Sequence, residues 1–350
     1  SNTTGAISAG SGTVYFSGAP TMYSGTSSLN NVVISSNKTL RMLATSVLKI
    51  AGTFTANGTY DATSQTPNKI EYNGADAQNI NAVIYNGLSL SGGNTKTASG
   101  SFVVNDTLQV SALTLFSDNS NSITAKGVIK ISGTFSGTGT LTIDGSSSLE
   151  GSGSISFANL TLLSARSFAT GSTSFTVSGN LSNSGSFTNT GTVTLSGTGK
   201  TISGTSTSQF NKLKVTGTVS ASSDISLQDS LSVTGQLYST ATTNFIGVNV
   251  LVGNAILTNA TINPSKTLTL ATNATMEIRG NLTISGTLNT SSTTNNTVWY
   301  SSLSSGIASA TYNNLRLTGR NTKPSNNRNI TINGTYTVDT STILDANYFT

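Results

Sequence analysis

The hexapeptide Tyr-Asn-Gly-Leu-Ser-Leu at residues 85–90 is the most informative segment of the chain, because near copies of it return at other positions. The copies read Leu-Asn-Asn-Val-Val-Ile at 29–34, Phe-Ala-Asn-Leu-Thr-Leu at 157–162, Phe-Asn-Lys-Leu-Lys-Val at 210–215 and Tyr-Asn-Asn-Leu-Arg-Leu at 312–317. Each copy joins an aromatic residue or Leu to a short polar segment and then to a strand with alternating apolar positions. Internal similarity of this kind is typical of repeat architectures.

A second repeated unit reads apolar-x-apolar-x-Gly-x-apolar. It begins at Leu48, Ile129, Phe175, Leu231, Met276 and Leu282, and its glycines are Gly52, Gly133, Gly179, Gly235, Gly280 and Gly286. A glycine directly after an alternating triplet suits a corner where the backbone takes a positive φ. We therefore expect these glycines at the corners of the fold, in the left-handed region.

The composition excludes several classes of protein. Charged residues make up 8% of the chain, and there is no His and no Cys. A Ser-His-Asp triad, a thiol nucleophile and the usual zinc sites are therefore excluded. No apolar run is long enough for a transmembrane helix.

Short Val-, Ile-, Thr-, Tyr- and Phe-rich segments recur between Gly, Asn and Ser, which predicts an all-β chain with essentially no α-helix.

The repeats favour a right-handed single-stranded parallel β-helix, a β-solenoid in which each coil pairs with the next. At roughly twenty residues per coil, the chain would form a rod about 80 Å long. An array of β-sandwiches would instead show domain-length repeats, each with a buried Trp. The inward positions predicted from the alternation are Leu48, Ile50, Leu88, Leu90, Ile129, Ile131, Leu213, Val215, Ile278, Leu315 and Leu317. Asn and Thr side chains are expected to stack in ladders inside the coils.

We predict one continuous solenoid over 1–350, with clear internal blocks near 12–57, 68–110, 191–237 and 296–338. Neither end of the chain has the polar cap that a solenoid needs against end-to-end association. The chain is therefore expected to be a fragment of a larger protein, in which flanking repeats of the same chain continue the stack.

Residues 70–80, followed by 85–90, place a strand, an Asn-Gly turn, a Gln, an aromatic-Asn pair and a second strand in that order. Residues 191–215 repeat much of this order. The arrangement resembles the large repetitive surface proteins of the Bacteroidota that leave the cell through the type IX secretion system. The resemblance covers 68–110, 191–237 and 296–338 best, 12–57 less well, and the spacers only loosely.

The resemblance implies a shaft or adhesive part of a secreted cell-surface protein of a Gram-negative bacterium. Some proteins of this family serve in cell adhesion or gliding motility. The implied partners are the outer-membrane secretion machinery and glycans or other surfaces. It also implies O-glycosylation at Thr107 and Ser230, since each follows Asp and precedes Leu. Asp is equally a good turn residue at these places. Passengers of autotransporters or two-partner secretion systems are the alternative within the same architecture.

A β-helical polysaccharide-binding or polysaccharide-degrading protein is the alternative from another class. Glycosidases need paired carboxylates, and the nearest groups here are Asp61; Glu71 with Asp76; Asp144 with Glu150; Asp224 with Asp229; and Asp339 with Asp345. None forms an Asp-Asp or Asp-x-Asp pair, so the sequence predicts no enzyme activity, no catalytic residue, no metal site and no cofactor.

The remaining candidates lie on the surface. Tyr23, Tyr60, Tyr238 and Tyr300 are candidate contact aromatics, although a Tyr with no role is common both in cores and on surfaces. The local excess of Arg316, Arg320, Lys323 and Arg328 is better explained as scattered solvated charge than as a nucleic-acid groove, which would need interleaved stacking aromatics. No nucleic-acid partner is expected.

Overall fold

The computed structural model describes residues 7–8, 10–302, 306–319, 322–324 and 329–345. The described residues form strands, turns and bends, and no helix occurs among them. The chain separates into two compact units, residues 1–175 and 176–350. Each unit is a stack of parallel coils, which confirms the all-β parallel solenoid predicted from the repeats. One continuous solenoid over the whole chain stays a prediction.

The strands of unit 1 are β1 Thr13–Phe16, β2 Thr21–Met22, β3 Gly25–Leu29, β4 Asn31–Ile34, β5 Thr39–Met42, β6 Ser46–Ile50, β7 Phe54–Ala56, β8 Thr59–Asp61, β9 Lys69–Tyr72, β10 Gln78–Ile80, β11 Ile84–Tyr85, β12 Gly87–Leu90, β13 Asn94–Ala98, β14 Phe102–Val104, β15 Leu108–Val110, β16 Thr114–Ser117, β17 Ile123–Ala125, β18 Val128–Ile131, β19 Thr134–Ser136, β20 Thr140–Ile143, β21 Ser146–Glu150, β22 Ser154–Phe157, β23 Asn159–Leu162 and β24 Ser167–Ala169.

The unit boundary falls in β25, Phe175–Val177. The strands of unit 2 are β26 Leu181–Asn183, β27 Ser186–Thr188, β28 Thr192–Leu195, β29 Thr198–Ser203, β30 Ser208–Val215, β31 Thr218–Ala221, β32 Ile225–Phe245, β33 Val248–Ile262, β34 Thr267–Leu270, β35 Thr275–Ile278, β36 Leu282–Ile284, β37 Thr287–Asn289, β38 Thr297–Tyr300, β39 Ala310–Tyr312, β40 Asn314–Leu317, β41 Thr322–Pro324, β42 Ile330–Ile332, β43 Tyr336–Val338 and β44 Ile343–Asp345.

Each coil of unit 1 contributes strands to three parallel sheets. In its central coils a strand pairs with the third strand before it and the third after it, as β12 does with β9 and β15. The inward register runs from Leu48 to Ile70, Leu88, Leu108 and Ile129, in steps of 18 to 22 residues. The predicted period of about twenty residues is therefore correct, although individual coils vary in length.

Unit 2 repeats the pattern with two unusually long strands, β32 and β33, which turn corners without losing their pairing. β33 pairs with β34, β35 and β36 in succession, so a single strand serves three faces of its coil. On one face the order continues from β35 to β38, β40 and β43. All eleven side chains predicted to point inward in the two units are buried, with at most 1% exposure.

The interior of unit 1 contains a continuous column of packed aromatic rings, and ladders of Asn and Thr inside the coils stay a prediction. Neighbouring ring centroids lie 4.6–6.2 Å apart. We call this set the aromatic column; its members are Phe54, Tyr60, Tyr85, Phe102, Phe116, Phe135, Phe157 and Phe175. Edge-to-face and tilted ring pairs stabilise a core beyond the apolar area that they bury. The first residue of the repeated hexapeptide supplies some of these rings.

Asparagines of the hexapeptide join neighbouring coils at the corners. The Nδ2 of Asn30, Asn211 and Asn313 donates to a carbonyl oxygen of the preceding coil, at 2.7–3.3 Å. The Oδ1 of Asn31 and Asn314 accepts from a backbone N–H of the following coil, at 2.8–2.9 Å. These amides thus satisfy backbone groups that a corner leaves outside the strand ladders.

The prediction that the repeated glycines adopt a positive φ was wrong. Gly52, Gly133, Gly280 and Gly286 do lie just after a strand, and Gly235 lies inside the long strand β32, but none of the five has a positive φ. A Cβ at each would instead lie 2.0–2.6 Å from an oxygen of the neighbouring coil. Close approach between coils therefore requires glycine here. Several of the left-handed turn positions are held by other residues, such as Asn37 and Asn273.

Candidate binding face

Two of the four candidate contact tyrosines are buried, so their prediction as surface contacts was wrong. Tyr60 is 8% exposed because it belongs to the aromatic column, where it packs between Phe54 and Tyr85. Tyr300 is fully buried because the alternation of β38 points it inward. Tyr23 and Tyr238 are half-buried and keep part of their rings at the surface.

Tyr300 belongs to a hydrogen-bonded tyrosine pair that has a counterpart in unit 1. The hydroxyls of Tyr300 and Tyr312 are 3.1 Å apart, and the Tyr312 hydroxyl donates to the Ala308 carbonyl. In unit 1 the hydroxyls of Tyr72 and Tyr85 are 3.0 Å apart, and the Tyr85 hydroxyl donates to the Asn81 carbonyl at 2.7 Å. In both pairs a backbone N–H donates to the first hydroxyl. The blocks at 68–110 and 296–338 therefore share a buried pair of hydrogen-bonded tyrosines as well as a sequence pattern.

The buried tyrosines of unit 1 should make the protein sensitive to alkali. Burial raises the pKa of Tyr72 to about 12 and raises the pKa values of Tyr60 and Tyr85 as well. The neutral forms are thus favoured on folding. Their stabilisation is complete below the ordinary pKa of 10 and is lost as the pH rises toward the folded-state value. The ionisation of Tyr72 alone would lower the free energy of unfolding by about 2 kcal/mol at pH 12.

We expect the midpoint of denaturant unfolding to be constant near neutral pH and to fall steeply above pH 10. Tyrosinate absorbance should rise together with the loss of β-sheet circular dichroism. The Tyr72→Phe variant, which has one fewer buried phenol, should show a shallower fall. Full tyrosinate absorbance in a chain that keeps its β-sheet signal would contradict the assignment.

Thr107 and Ser230, the candidate O-glycosylation residues, occupy matching places in their coils. Each precedes a buried Leu that pairs with the Leu of a hexapeptide one coil earlier. Both are half-buried, and Thr107 borders a surface cleft of about 310 Å³. Asp229, before Ser230, pairs with Lys212 at 3.4 Å. Modification of Thr107 and Ser230 stays a prediction, and an intact-mass measurement on native material would test it.

Most acidic side chains of the predicted groups are paired with cations of neighbouring coils. Asp144 contacts Arg166 at 3.0 Å and Lys126 at 3.7 Å, and Asp61 contacts Arg41 at 3.4 Å. Asp118 is buried and accepts backbone N–H groups of Ser120, Thr138 and Gly139. These contacts join coils. Within the described residues, no group of three or more acidic side chains is placed to hold a metal ion.

An outward surface with unusual side-chain chemistry lies on the β35–β38–β40 face of unit 2. The register places one residue per coil in a single line, and we call this line the outward strip. Its members are Ser220, Tyr238, Ile256, Glu277, Trp299, Arg316 and Thr337. Successive members are about 4.8 Å apart, the distance between paired strands. Most of the outward surface carries Ser, Thr and Asn, so a Tyr, a Trp and an Arg in one line distinguish this face.

Contacts between coils hold the strip in one arrangement. The guanidinium of Arg316 lies over the Trp299 ring, 4.3 Å from its centroid, and the indole N–H donates to the Thr318 hydroxyl at 2.7 Å. Arg279 lies over the Tyr238 ring at 5.0 Å and contacts Glu277 at 2.7 Å. These contacts raise the pKa of Arg279, chiefly through the hydrogen bond to Glu277. Each aromatic side chain is thus fixed by a cation.

The matching line in unit 1 has different chemistry. Its members are Lys49, Glu71, Ser89, Gln109, Lys130 and Glu150. Lys49 pairs with Glu71 at 3.2 Å and Lys130 with Glu150 at 3.5 Å. The charges of this line neutralise each other. In unit 2, Glu277 is neutralised by Arg279, and within the described residues no carboxylate pairs with Arg316.

Trp299 and Arg316 were not predicted as site residues. The alternation of Val298, Trp299 and Tyr300 was the signal that placed Trp299 on the outward face. Arg316 was interpreted as scattered charge, and only the coil register brings it beside the indole. Arg320 and Arg328, and the side chain of Lys323, lie outside the described residues. The described part of the chain includes no helix long and apolar enough to cross a membrane.

No protein-family model matches the chain, and neither curated protein sequences nor solved structures give a significant match.

Proposed function

We propose that the chain is a structural and adhesive segment of a large secreted protein on the surface of a Gram-negative bacterium. The outward strip is the observation that carries the adhesive part, because it sets aromatic and cationic side chains in a fixed line on a surface made mostly of Ser, Thr and Asn. The coil stack supports the structural part, since the described coils are paired through their backbones with their neighbours.

Several features support a structural role for the chain over a catalytic one. Backbone pairing, the aromatic column and corner asparagines hold each coil in place, and the cross-coil ion pairs engage most of the surface carboxylates. Export by a type IX system and attachment to the cell surface are proposed from the sequence resemblance.

The proposal is tested with the full chain immobilised on beads. We expect saturable adhesion of the beads to polysaccharide-coated or cell surfaces and no release of new reducing ends from any polysaccharide. In the parent gene, removal of the segment should reduce adhesion of the cells. Turnover of a polysaccharide would overturn the proposal, as would a segment that adheres to nothing and whose removal leaves adhesion unchanged.

A further inference from the structure

We infer that the outward strip of unit 2 binds an acidic polysaccharide, a chain of sugar rings that carries carboxylate groups. This inference rests on the proposed adhesive function and names the class of ligand and the residues that bind it. It starts from Trp299 and Arg316, where the described residues include a strip cation but no carboxylate paired with it.

Arg316 is exposed, and its guanidinium is already oriented by the indole beneath it. A planar guanidinium can bind a carboxylate through two parallel N–H donors while its face stacks on an aromatic ring. Because the indole N–H is tied to Thr318, the pair does not have to be ordered when a ligand arrives. A site held in its binding geometry loses less entropy on association than a mobile one.

The charges of the strip favour an anion over a neutral or cationic chain. Glu277 is 5% exposed and accepts hydrogen bonds from Arg279 and from the Ser301 hydroxyl, both at 2.7 Å. Its negative charge is therefore compensated before any ligand binds. Arg316 leaves a net positive charge on the exposed side of the strip.

The shape of the strip favours a linear chain. A cleft of about 280 Å³ lies beside Trp299 and Arg316, and Thr275, Thr297, Asn314 and Thr335 also line it. Hydroxyl and amide groups of this kind can hydrogen-bond the hydroxyls of sugars. From Tyr238 to Arg316 the strip spans four coil steps, about 19 Å. A polysaccharide lying across the coils can therefore contact several strip residues at once.

The test uses the full chain and polygalacturonate as the probe, with the carboxyl-reduced polymer as its neutral counterpart. Trp299→Ala and Arg316→Ala should each weaken binding to polygalacturonate by about tenfold or more, about 1.4 kcal/mol. Arg316→Lys, which keeps the charge but loses the planar fork, should lie between Arg316→Ala and the parent chain. Raising the salt concentration should weaken binding, because exposed charges are screened.

Lys214→Ala is the matched control. Lys214 is exposed in unit 2, pairs in register with Ser232 on another face, and loses the same charge as Arg316 on substitution to Ala. Its binding to polygalacturonate should equal that of the parent chain. Circular dichroism and unfolding midpoints of the four variants should match the parent chain, so that lost binding is not lost folding.

Equal binding of the carboxyl-reduced polymer would overturn the inference, as would unchanged binding by Trp299→Ala and Arg316→Ala or preference for single-stranded DNA. If the beads still adhere to surfaces but polygalacturonate does not bind, only the ligand class is wrong. If nothing binds and removal of the segment leaves cell adhesion unchanged, the proposed function fails as well.

Discussion

Replacing Gly133 by alanine is expected to destabilise unit 1 by about 3 kcal/mol or more. A Cβ at this position would lie 2.3 Å from the carbonyl oxygens of both Ser111 and Thr114. Both oxygens belong to the backbone of the preceding coil, so neither can move as a flexible side chain would. The Gly133 N–H also donates to the Val110 carbonyl at 3.2 Å. The coils would have to separate to admit the methyl group, and their backbone pairing would weaken.

Gly18→Ala is the matched control, because a Cβ at Gly18 meets nothing within 4 Å and the residue has no positive φ. This substitution should leave stability unchanged or raise it by up to about 1 kcal/mol, since it restricts the unfolded chain. Chemical unfolding of both variants gives the comparison. Hydrogen exchange should locate the damage in Gly133→Ala to the coils around residues 110–135. Equal stabilities of the two variants would contradict the close-approach explanation.

The sequence was sufficient to predict strand type, coil period and the inward side chains. Alternation fixes which side chains share a face of a strand, so Leu88 and Leu90 had to be buried together. It does not fix the corner backbone. A corner can select glycine for either of two reasons, a positive φ or the close approach of another coil. Nothing in the sequence around Gly133 shows which reason applies there.

The candidate site could not be predicted in the same way, because it depends on register between coils. The step along the strip is 18 residues from Tyr238 to Ile256, 21 to Glu277, 22 to Trp299 and 17 to Arg316. A fixed period of twenty would place different residues beside the indole. Tyr60 was misplaced for a related reason, because its ring packs against Tyr85 of another coil, which the local sequence does not show. Tyr300 was misplaced although the alternation of Val298, Trp299 and Tyr300 points it inward.

Phe116→Ala is expected to cost about 3–5 kcal/mol of unit 1 stability, the usual range for removing a buried phenyl group. Phe116 is fully buried in the aromatic column, with its centroid 4.6 Å from that of Phe135 and 6.2 Å from that of Phe102. Its removal would leave a cavity at the centre of a coil and break the column at one ring. Tyr15→Ala is the control, because Tyr15 is 66% exposed and its loss should cost little.

The position of the damage distinguishes a stacked column from an ordinary core. In a solenoid each coil contacts only its neighbours, so the lost free energy belongs to the interfaces on either side of the altered ring. Hydrogen exchange in Phe116→Ala should therefore increase in β13, β16 and β19, while β6 keeps its protection. Combining Phe116→Ala with Phe135→Ala should cost less than the two single losses together, because the ring pair is lost only once. Additive losses, or a protection change spread evenly over unit 1, would show that the rings do not stabilise the coils through mutual stacking.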